Sequence, residues 1–481
     1  MRLREMVKTL LMIALILSIV AMAAQLWLFG TLSLSETGDA VETLRVALLS
    51  AGFQDLAERL TEHTPQGTTV DYSERFAYPS SVTVLTSGGA LSSAYRTETT
   101  RECYRQLAEG ATAALSGTAE AMEQGQWEKL IAESQGILVD YGRPLSLSLL
   151  MQMAGRTCDG RLAETAFRYA LFVTGGEETY ACLRTSDGAF YKLSGGAADL
   201  TQTAATLAAR ADMTPVALLG RAATIERRLV SEQFWENLQL PAENLYPAID
   251  GREPQVYYAT NPVYHAQNGF NTWRLQEILT QFRYNPSTVN RYTEKNGTQV
   301  YVENYGSLRI TTEGVLHYST TQTAKGIPLS AYFESEAKDY YTLREVVSAA
   351  LMFTTSLKQE VVGGNGGELR FREAYYDQDE QALYLEFDYV MDGITVKIAA
   401  DDGQTAALRL RYQNGFFTGC DAVFRAYEPA GADFEMLYVL KAAEALSYAG
   451  EEPRQMEVLY QDALAEEERA LVPSYYAVKE E

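Results

Sequence analysis

Residues Thr9 to Phe29 form an unbroken stretch of 21 residues without a charged side chain, TLLMIALILSIVAMAAQLWLF. In a helix that rises ~1.5 Å per residue, this stretch is roughly 30 Å long, which matches the hydrocarbon core of a bilayer. It is apolar on every face, unlike a surface helix of a globular domain. Arg2, Arg4 and Lys8 precede it, and the first charges after it are Glu36 and Asp39. Trp27 and Phe29 sit where interfacial aromatics are found. The positive flank is expected to stay in the cytoplasm and the rest of the chain to lie outside the cell membrane. A cleavable signal peptide is the competing reading, because Ala21-Met22-Ala23 fits a small-x-small cleavage site. The apolar run continues past that site to Phe29, which favours an uncleaved single-pass anchor.

Roughly 450 residues follow, enough for about three domains and a large buried core. The expected organisation is a cytoplasmic tail over 1–8, a transmembrane helix over 9–29 and a juxtamembrane helical segment over 30–66. An N-terminal α/β ectodomain over 67–250 follows, then a middle helix-plus-meander domain over 251–341 and a C-terminal one over 342–481. The formal net charge of −23 excludes DNA, RNA and other polyanions as natural partners, since association would bring like charges together. Cys103, Cys158, Cys182 and Cys420 form no C-x-x-C pair. Outside the cell a Cys158–Cys182 disulfide is allowed, but a chain this long does not need it, and buried thiols acting as small apolar side chains are the simpler reading.

Local pattern gives the elements. Val82–Leu85 reads as a strand after Tyr78-Pro79, and Thr97 to Met122 as one helix with Tyr104, Leu107, Ala111 and Leu115 on a stripe. Trp127–Ser134 reads as helix and Ile137–Tyr141 as a strand closed by Gly142. Phe167–Val173, Glu178–Thr185 and Ala189–Lys192 read as antiparallel strands, with Ser186-Asp187-Gly188 as a hairpin turn. Thr201–Arg210 returns to helix, and the Pro- and Asn-rich stretch from Leu240 to Pro262 reads as a boundary. Beyond it the order helix, then meander, occurs twice: Trp273–Phe282 before strands joined at Asn296-Gly297 and Glu313-Gly314, and Thr342–Glu360 before strands joined at Asp392-Gly393 and Asp402-Gly403. One of the later strands is expected over Ala422–Tyr427, and a helix over Phe434–Tyr448. Segregated helices and antiparallel strands mean α+β, with helices packed on β-meanders.

No catalytic constellation emerges. His63, His265 and His317 are far apart and lack paired spacing, so zinc chemistry has no ligand set. Ser335-Glu336-Ala337-Lys338 matches S-x-x-K, but no K-T-G strand accompanies it. Asp377-Gln378-Asp379-Glu380 resembles the start of a calcium loop, yet Ala382 stands where that loop needs glycine and Asp388 where it needs glutamate. A solvated hairpin turn fits those residues better. Asn296-Gly297-Thr298 fits a glycosylation sequon and, equally, a hairpin. Gly363 to Gly367 follows a helix rather than preceding one, so it reads as a helix stop and not as a phosphate cradle. The 31 tyrosines suit half-buried strands, with sugar stacking on exposed rings as the second reading. No enzyme activity, metal or cofactor is expected.

Five stretches carry a resemblance to a known family. They are the basic N-terminus with one anchor helix; Tyr78-Pro79 leading into Val82–Leu85; the helix from Thr97; Phe282-Arg283-Tyr284-Asn285-Pro286-Ser287 running into Val289–Tyr292 and the Asn296-Gly297 hairpin; and Leu471-Val472-Pro473-Ser474-Tyr475-Tyr476-Ala477-Val478. In this order the chain resembles a YycH-like member of the YycH/YycI family of two-component sensor-kinase regulatory proteins of Gram-positive bacteria. The tail departs from the family's Leu-x-Pro-x-aromatic ending in having tyrosine in place of the usual tryptophan. The resemblance implies a non-enzymatic regulator of cell-wall homeostasis, partnered by a membrane sensor histidine kinase and a paralogous YycI-like protein. It also places the main contacts in the membrane helix, where small side chains let helices approach closely. Ala14, Ser18 and Ala21, with Trp27 at the interface, are the expected contact residues. Binding of wall glycan or peptide by the ectodomain is the alternative.

Overall fold

The computed structural model describes residues 76–86, 91–94, 97–175, 179–196, 199–218, 230–237, 245–247, 255–303, 305–323, 325–333, 341–363, 367–399, 406–431, 439–449, 456–464 and 469–477. The expected membrane and juxtamembrane helices over 9–66 lie outside the described residues. Among the described residues no helix is long and apolar enough to cross a membrane. The chain divides into two units, Met1–Val70 with Ser330–Ala337 and Asp71–Leu329 with Lys338–Glu481. Apart from Ser330–Phe333, every described residue belongs to the second. The class is α+β, with eight α-helices among the described residues and every strand pair antiparallel but one.

The first lobe runs through β1 (Ser81–Leu85), β2 (Leu91–Ala94), α1 (Thr97–Leu115), β3 (Thr118–Met122), α2 (Gln124–Glu133), β4 (Gly136–Ser146), α3 (Leu147–Met153), β5 (Ala166–Val173), β6 (Tyr180–Thr185), β7 (Phe190–Ser194), α4 (Thr201–Ala208), β8 (Thr214–Leu218), α5 (Glu232–Asn237) and β9 (Leu245–Pro247). Its nine strands form one sheet in the order β3-β7-β6-β5-β4-β1-β2-β8-β9. In α1, Thr100, Cys103, Tyr104, Leu107 and Ala111 are buried at spacings of one, three and four residues that give an inward stripe, and the last turn, Ala111 to Leu115, is buried all round. Residues 137–139 and 170–173 are buried without alternation, which is the mark of strands covered on both faces. One cover is α2, whose Trp127 and Ile131 join Leu138, Leu171 and Cys182 in a core cluster.

Two local expectations are corrected here. The helix expected to reach Met122 stops at Leu115, and Thr118–Met122 pairs with β7 as an edge strand. The alanine-rich sequence favours helix, but tertiary pairing overrides it. Gly117 permits the turn, since a Cβ there would lie 2.7 Å from the Ser194 carbonyl oxygen. The strand expected to close at Gly142 runs on to Ser146 through a register shift between Asp140 and Leu145. Gly142 has φ +79°, a conformation glycine adopts without strain.

The second lobe contains β10 (Tyr257–Thr260), β11 (Tyr264–His265), β12 (Gly269–Phe270), α6 (Thr272–Gln281), β13 (Asn290–Thr293), β14 (Gln299–Glu303), β15 (Gly306–Ile310), β16 (Val315–Thr320), β17 (Ile327–Pro328), α7 (Leu343–Val361), β18 (Glu368–Asp377), β19 (Ala382–Met391), β20 (Ile394–Ile398), β21 (Leu408–Gln413), β22 (Phe416–Val423), β23 (Ala426–Pro429), α8 (Val439–Tyr448), β24 (Met456–Asp462), β25 (Arg469–Leu471) and β26 (Ser474–Ala477). Both meanders share one sheet, ordered β13-β14-β15-β16-β22-β21-β19-β20-β24-β26, with β17 on β22 and β18 on β19. The pair β20–β24 is parallel.

A capping box between Thr342 and Glu345 starts α7, which then buries Val346, Val347, Ala350, Phe353, Leu357 and Val361. The Phe353 ring centroid is 5.5 Å from that of Phe282 at the end of α6 and 6.0 Å from that of Phe417 in β22, so one aromatic stack ties both helices to the sheet. A small sheet, β23-β10-β25, closes a second core with Ala259, Val315, Tyr389, Tyr427, Tyr460 and Leu471. The strand expected over Ala422–Tyr427 is in fact two. β22 leaves the large sheet at Val423 and β23 starts in the small one at Ala426. Between them Arg425 turns inward to Asp462, with Nε–Oδ2 at 2.9 Å and both side chains about 1% exposed.

Candidate functional site

Most residues singled out by pattern prove to be local structure. His265 accepts a hydrogen bond from the Gln267 N–H. Asn296 accepts from the Thr298 N–H in a hairpin whose Gly297 has φ +88°. Asp377 accepts from the N–H groups of Asp379 and Glu380, which makes the acidic segment a β18–β19 turn. All four cysteines are free, so no Cys158–Cys182 disulfide exists here. Burial pushes the Cys103 thiol up to about 11 and the Cys182 thiol up to about 12, which leaves both unreactive. Among the described residues no group of three His, Cys, Asp or Glu side chains is placed to hold a metal. Ala14, Ser18, Ala21, Trp27, His63, Ser335 and Lys338 lie outside the described residues.

His317 is different. Strand side chains alternate between faces, so Leu316 and Tyr318 point to the α7 side while His317 and Ser319 point away. On that outer face the strand register lines up Arg309, His317, Asp421, Arg409, Glu386 and Glu373, one from each of six consecutive strands. The Asp421 carboxylate accepts from His317 Nδ1 at 2.9 Å and from Arg409 Nη2 at 2.7 Å and Nε at 3.2 Å. An ionised carboxylate only accepts, so His317 carries its proton on Nδ1. Burial pushes Asp421 up, but the hydrogen bonds from His317 and Arg409 prevail and hold it below the usual aspartate range. At one end Arg309 pairs with Glu294 at 2.8 Å.

At the other end two carboxylates, Glu373 and Glu386, sit directly opposite, an unfavourable pairing. A β-bulge resolves it. The extra residue, Arg372, reaches Glu373 at 3.3 Å, Glu386 at 3.4 Å and Asp388 at 3.9 Å. Burial still pushes the Glu386 carboxyl above its ordinary value.

The row then runs into the junction between the lobes. Asp388, 3% exposed, pairs through Oδ2 with Arg143 Nε at 2.8 Å. Arg143 comes from the irregular part of β4. Burial raises the Asp388 carboxyl more than Arg143 lowers it. Next to it Arg370, its guanidinium pKa pulled down by burial, donates to Ser80 Oγ at 2.8 Å. Arg101 of α1 pairs with Glu368 of β18. Nothing in this arrangement provides a nucleophile beside a base. It fixes charges of both signs in an ordered strip on one face and pins the first lobe to the sheet's end.

Replacing Asp421 by asparagine tests that strip. A depressed aspartate contributes stability above its unfolded value of 3.8, and the contribution is lost as pH falls through the folded value. The variant is expected to lose about 1–2 kcal/mol at pH 7 and to match the parent more closely at pH 3. Urea unfolding at both values measures it; an equal deficit at each contradicts the assignment.

Among the described residues, the fold and this face define an α+β protein of broad antiparallel sheets whose most organised polar feature is a surface of paired charges. In structure the chain is similar to the crystal structure of YycH from Bacillus subtilis. The likeness has a TM-score of 0.47 at 11% identity and covers 83% of this chain and 96% of that one. No family model matches the chain, and no curated protein matches it.

Proposed function

We propose that this protein is a single-pass, membrane-anchored extracytoplasmic regulator that modulates a cell-wall sensor histidine kinase through contacts of its membrane helix and ectodomain. The observation that carries the anchor is the uncharged stretch Thr9–Phe29, with arginine and lysine before it and acids after it. The kinase as partner rests on the five stretches that resemble the YycH/YycI family. Regulation then works by preference: a protein that packs better against one state of its partner shifts the population toward that state. Ala14, Ser18 and Ala21 offer the close helix approach this needs in lipid.

Exposed tyrosines favour wall glycan as a second reading. Tyr375, which is 39% exposed, stacks with Tyr384 with centroids 5.4 Å apart at 17°. One experiment separates the two. Full-length protein is purified from its own membranes beside a form whose residues 9–29 are replaced by an unrelated membrane helix. The native form is expected to bring down a sensor kinase and the replaced form to lose it. Recovery by both moves the contact to the ectodomain. Recovery by neither, with retention on purified peptidoglycan, replaces the kinase reading by the glycan one.

A further inference from the structure

A cavity of about 290 Å³ opens where α6, the β14–β15 turn and β17 meet, on the α7 side of the sheet. Phe282, Tyr284, Tyr305, Tyr318 and Phe416 supply aromatic walls, and Arg283, Glu303 and Lys325 supply charge. One feature marks it as built. Tyr284 is 5% exposed, and its hydroxyl has no hydrogen-bond partner. Buried hydroxyls are nearly always satisfied, so one left open beside a cavity points to a missing partner. Arg283 holds φ +61° because α6 ends there in a Schellman turn, with the Arg283 N–H on the Thr280 carbonyl at 2.9 Å and the Tyr284 N–H on that of Leu279 at 2.8 Å, and this turn sets Arg283 and Tyr284 at the cavity. Gly306 keeps the space open: a Cβ there would stand 2.8 Å from Tyr284 Oη. The charges have both signs, with Lys325 Nζ 5.6 Å from the Tyr305 ring centroid and Glu303 close enough to Tyr284 to raise its pKa further, after burial.

We infer that this cavity binds a small zwitterion of amino-acid type. Its ammonium group is met by Glu303, its carboxylate by Arg283, Lys325 and the Tyr284 hydroxyl, and its side chain by the aromatic walls. The size suits one residue and excludes a long peptide. Neither a lone anion nor a lone cation satisfies all three charged side chains.

Three probes that share a phenyl group test the charge requirement: L-phenylalanine, 2-phenylethylamine and 3-phenylpropanoate. Binding to the full chain in nanodiscs is read by saturation-transfer NMR and calorimetry, with protein-free nanodiscs as the reference. L-phenylalanine is expected to bind at least tenfold more tightly than either singly charged analogue. Glu303→Gln is expected to weaken it at least tenfold, and Gly306→Ala to abolish it. Tyr284→Phe is expected to weaken binding while melting no lower than the parent, because it removes a hydroxyl to which no other residue hydrogen-bonds. Should Gly306→Ala fail to fold, Glu303→Gln and Tyr284→Phe still decide the matter. Equal binding of all three probes, preference for a singly charged one, no binding, or binding unchanged in Glu303→Gln each overturns the inference.

Discussion

Replacing Arg425 by alanine is expected to destabilise the protein by about 3–5 kcal/mol, the penalty for leaving one partner of a buried ion pair uncompensated. Arg425 is 0% exposed and Asp462 1%. The guanidinium donates to both carboxylate oxygens, at 2.9 Å and 3.2 Å, and the same carboxylate accepts from the Tyr427 hydroxyl and the Leu464 N–H. These contacts join the β22–β23 break to the end of β24, so the loss also loosens the small sheet. Changing both residues, Arg425→Met with Asp462→Leu, is expected to recover at least half of the loss, because no charge is then left buried. Equilibrium urea unfolding of the single and double variants gives the comparison. A loss below about 1 kcal/mol for Arg425→Ala contradicts the buried pair.

The second large effect lies in the aromatic stack. Phe353 is 0% exposed and touches Phe282 and Phe417 from the middle of α7. Phe353→Ala removes a full ring from a site with rigid neighbours and is expected to cost about 3–5 kcal/mol, whereas Phe353→Leu keeps most of the volume and costs less than half as much. Because Phe282 ends α6 just before Arg283 and Tyr284, the alanine variant is also expected to speed amide exchange at Phe282–Tyr284 ahead of global unfolding. Hydrogen exchange with mass spectrometry reads this; unchanged exchange there means the stack does not hold the end of α6.

Where the sequence carries its own signal, structure and pattern agree. Asn296-Gly297 and Asp392-Gly393 turn hairpins, and Thr342 with Glu345 caps the helix it announces. Each depends on neighbours a few residues apart. Thr118–Met122 shows the reverse, since its alanines favour helix and only pairing with Phe190–Ser194 makes it a strand. The charged strip was half legible. Arg309, His317, Arg409 and Glu386 fall in strands expected from pattern, whereas Asp421 falls just before the strand expected over Ala422–Tyr427 and enters β22 only because that strand starts at Phe416. That they share one row depends on the register of five strand pairs, and register over such distances is set by packing of the opposite face. The free Tyr284 hydroxyl had no signal at all, because it is defined by what fails to reach it. Ala14, Ser18, Ala21 and Trp27 stay as read from the sequence, outside the described residues.

The pairing of β16 with β22 has a consequence for how the chain is made. Roughly 100 residues separate these strands. A ribosome adding ~5–20 residues per second needs about 5–20 s to cover that distance. For that time the first meander carries an open edge, with Leu316 and Tyr318 lacking the neighbours that later bury them. The edge is an invitation to other chains, and the wait does not shorten however fast the hairpins themselves form. Traffic therefore bears on production of this protein: slower initiation, which spaces the nascent chains apart, is expected to raise the yield of folded protein.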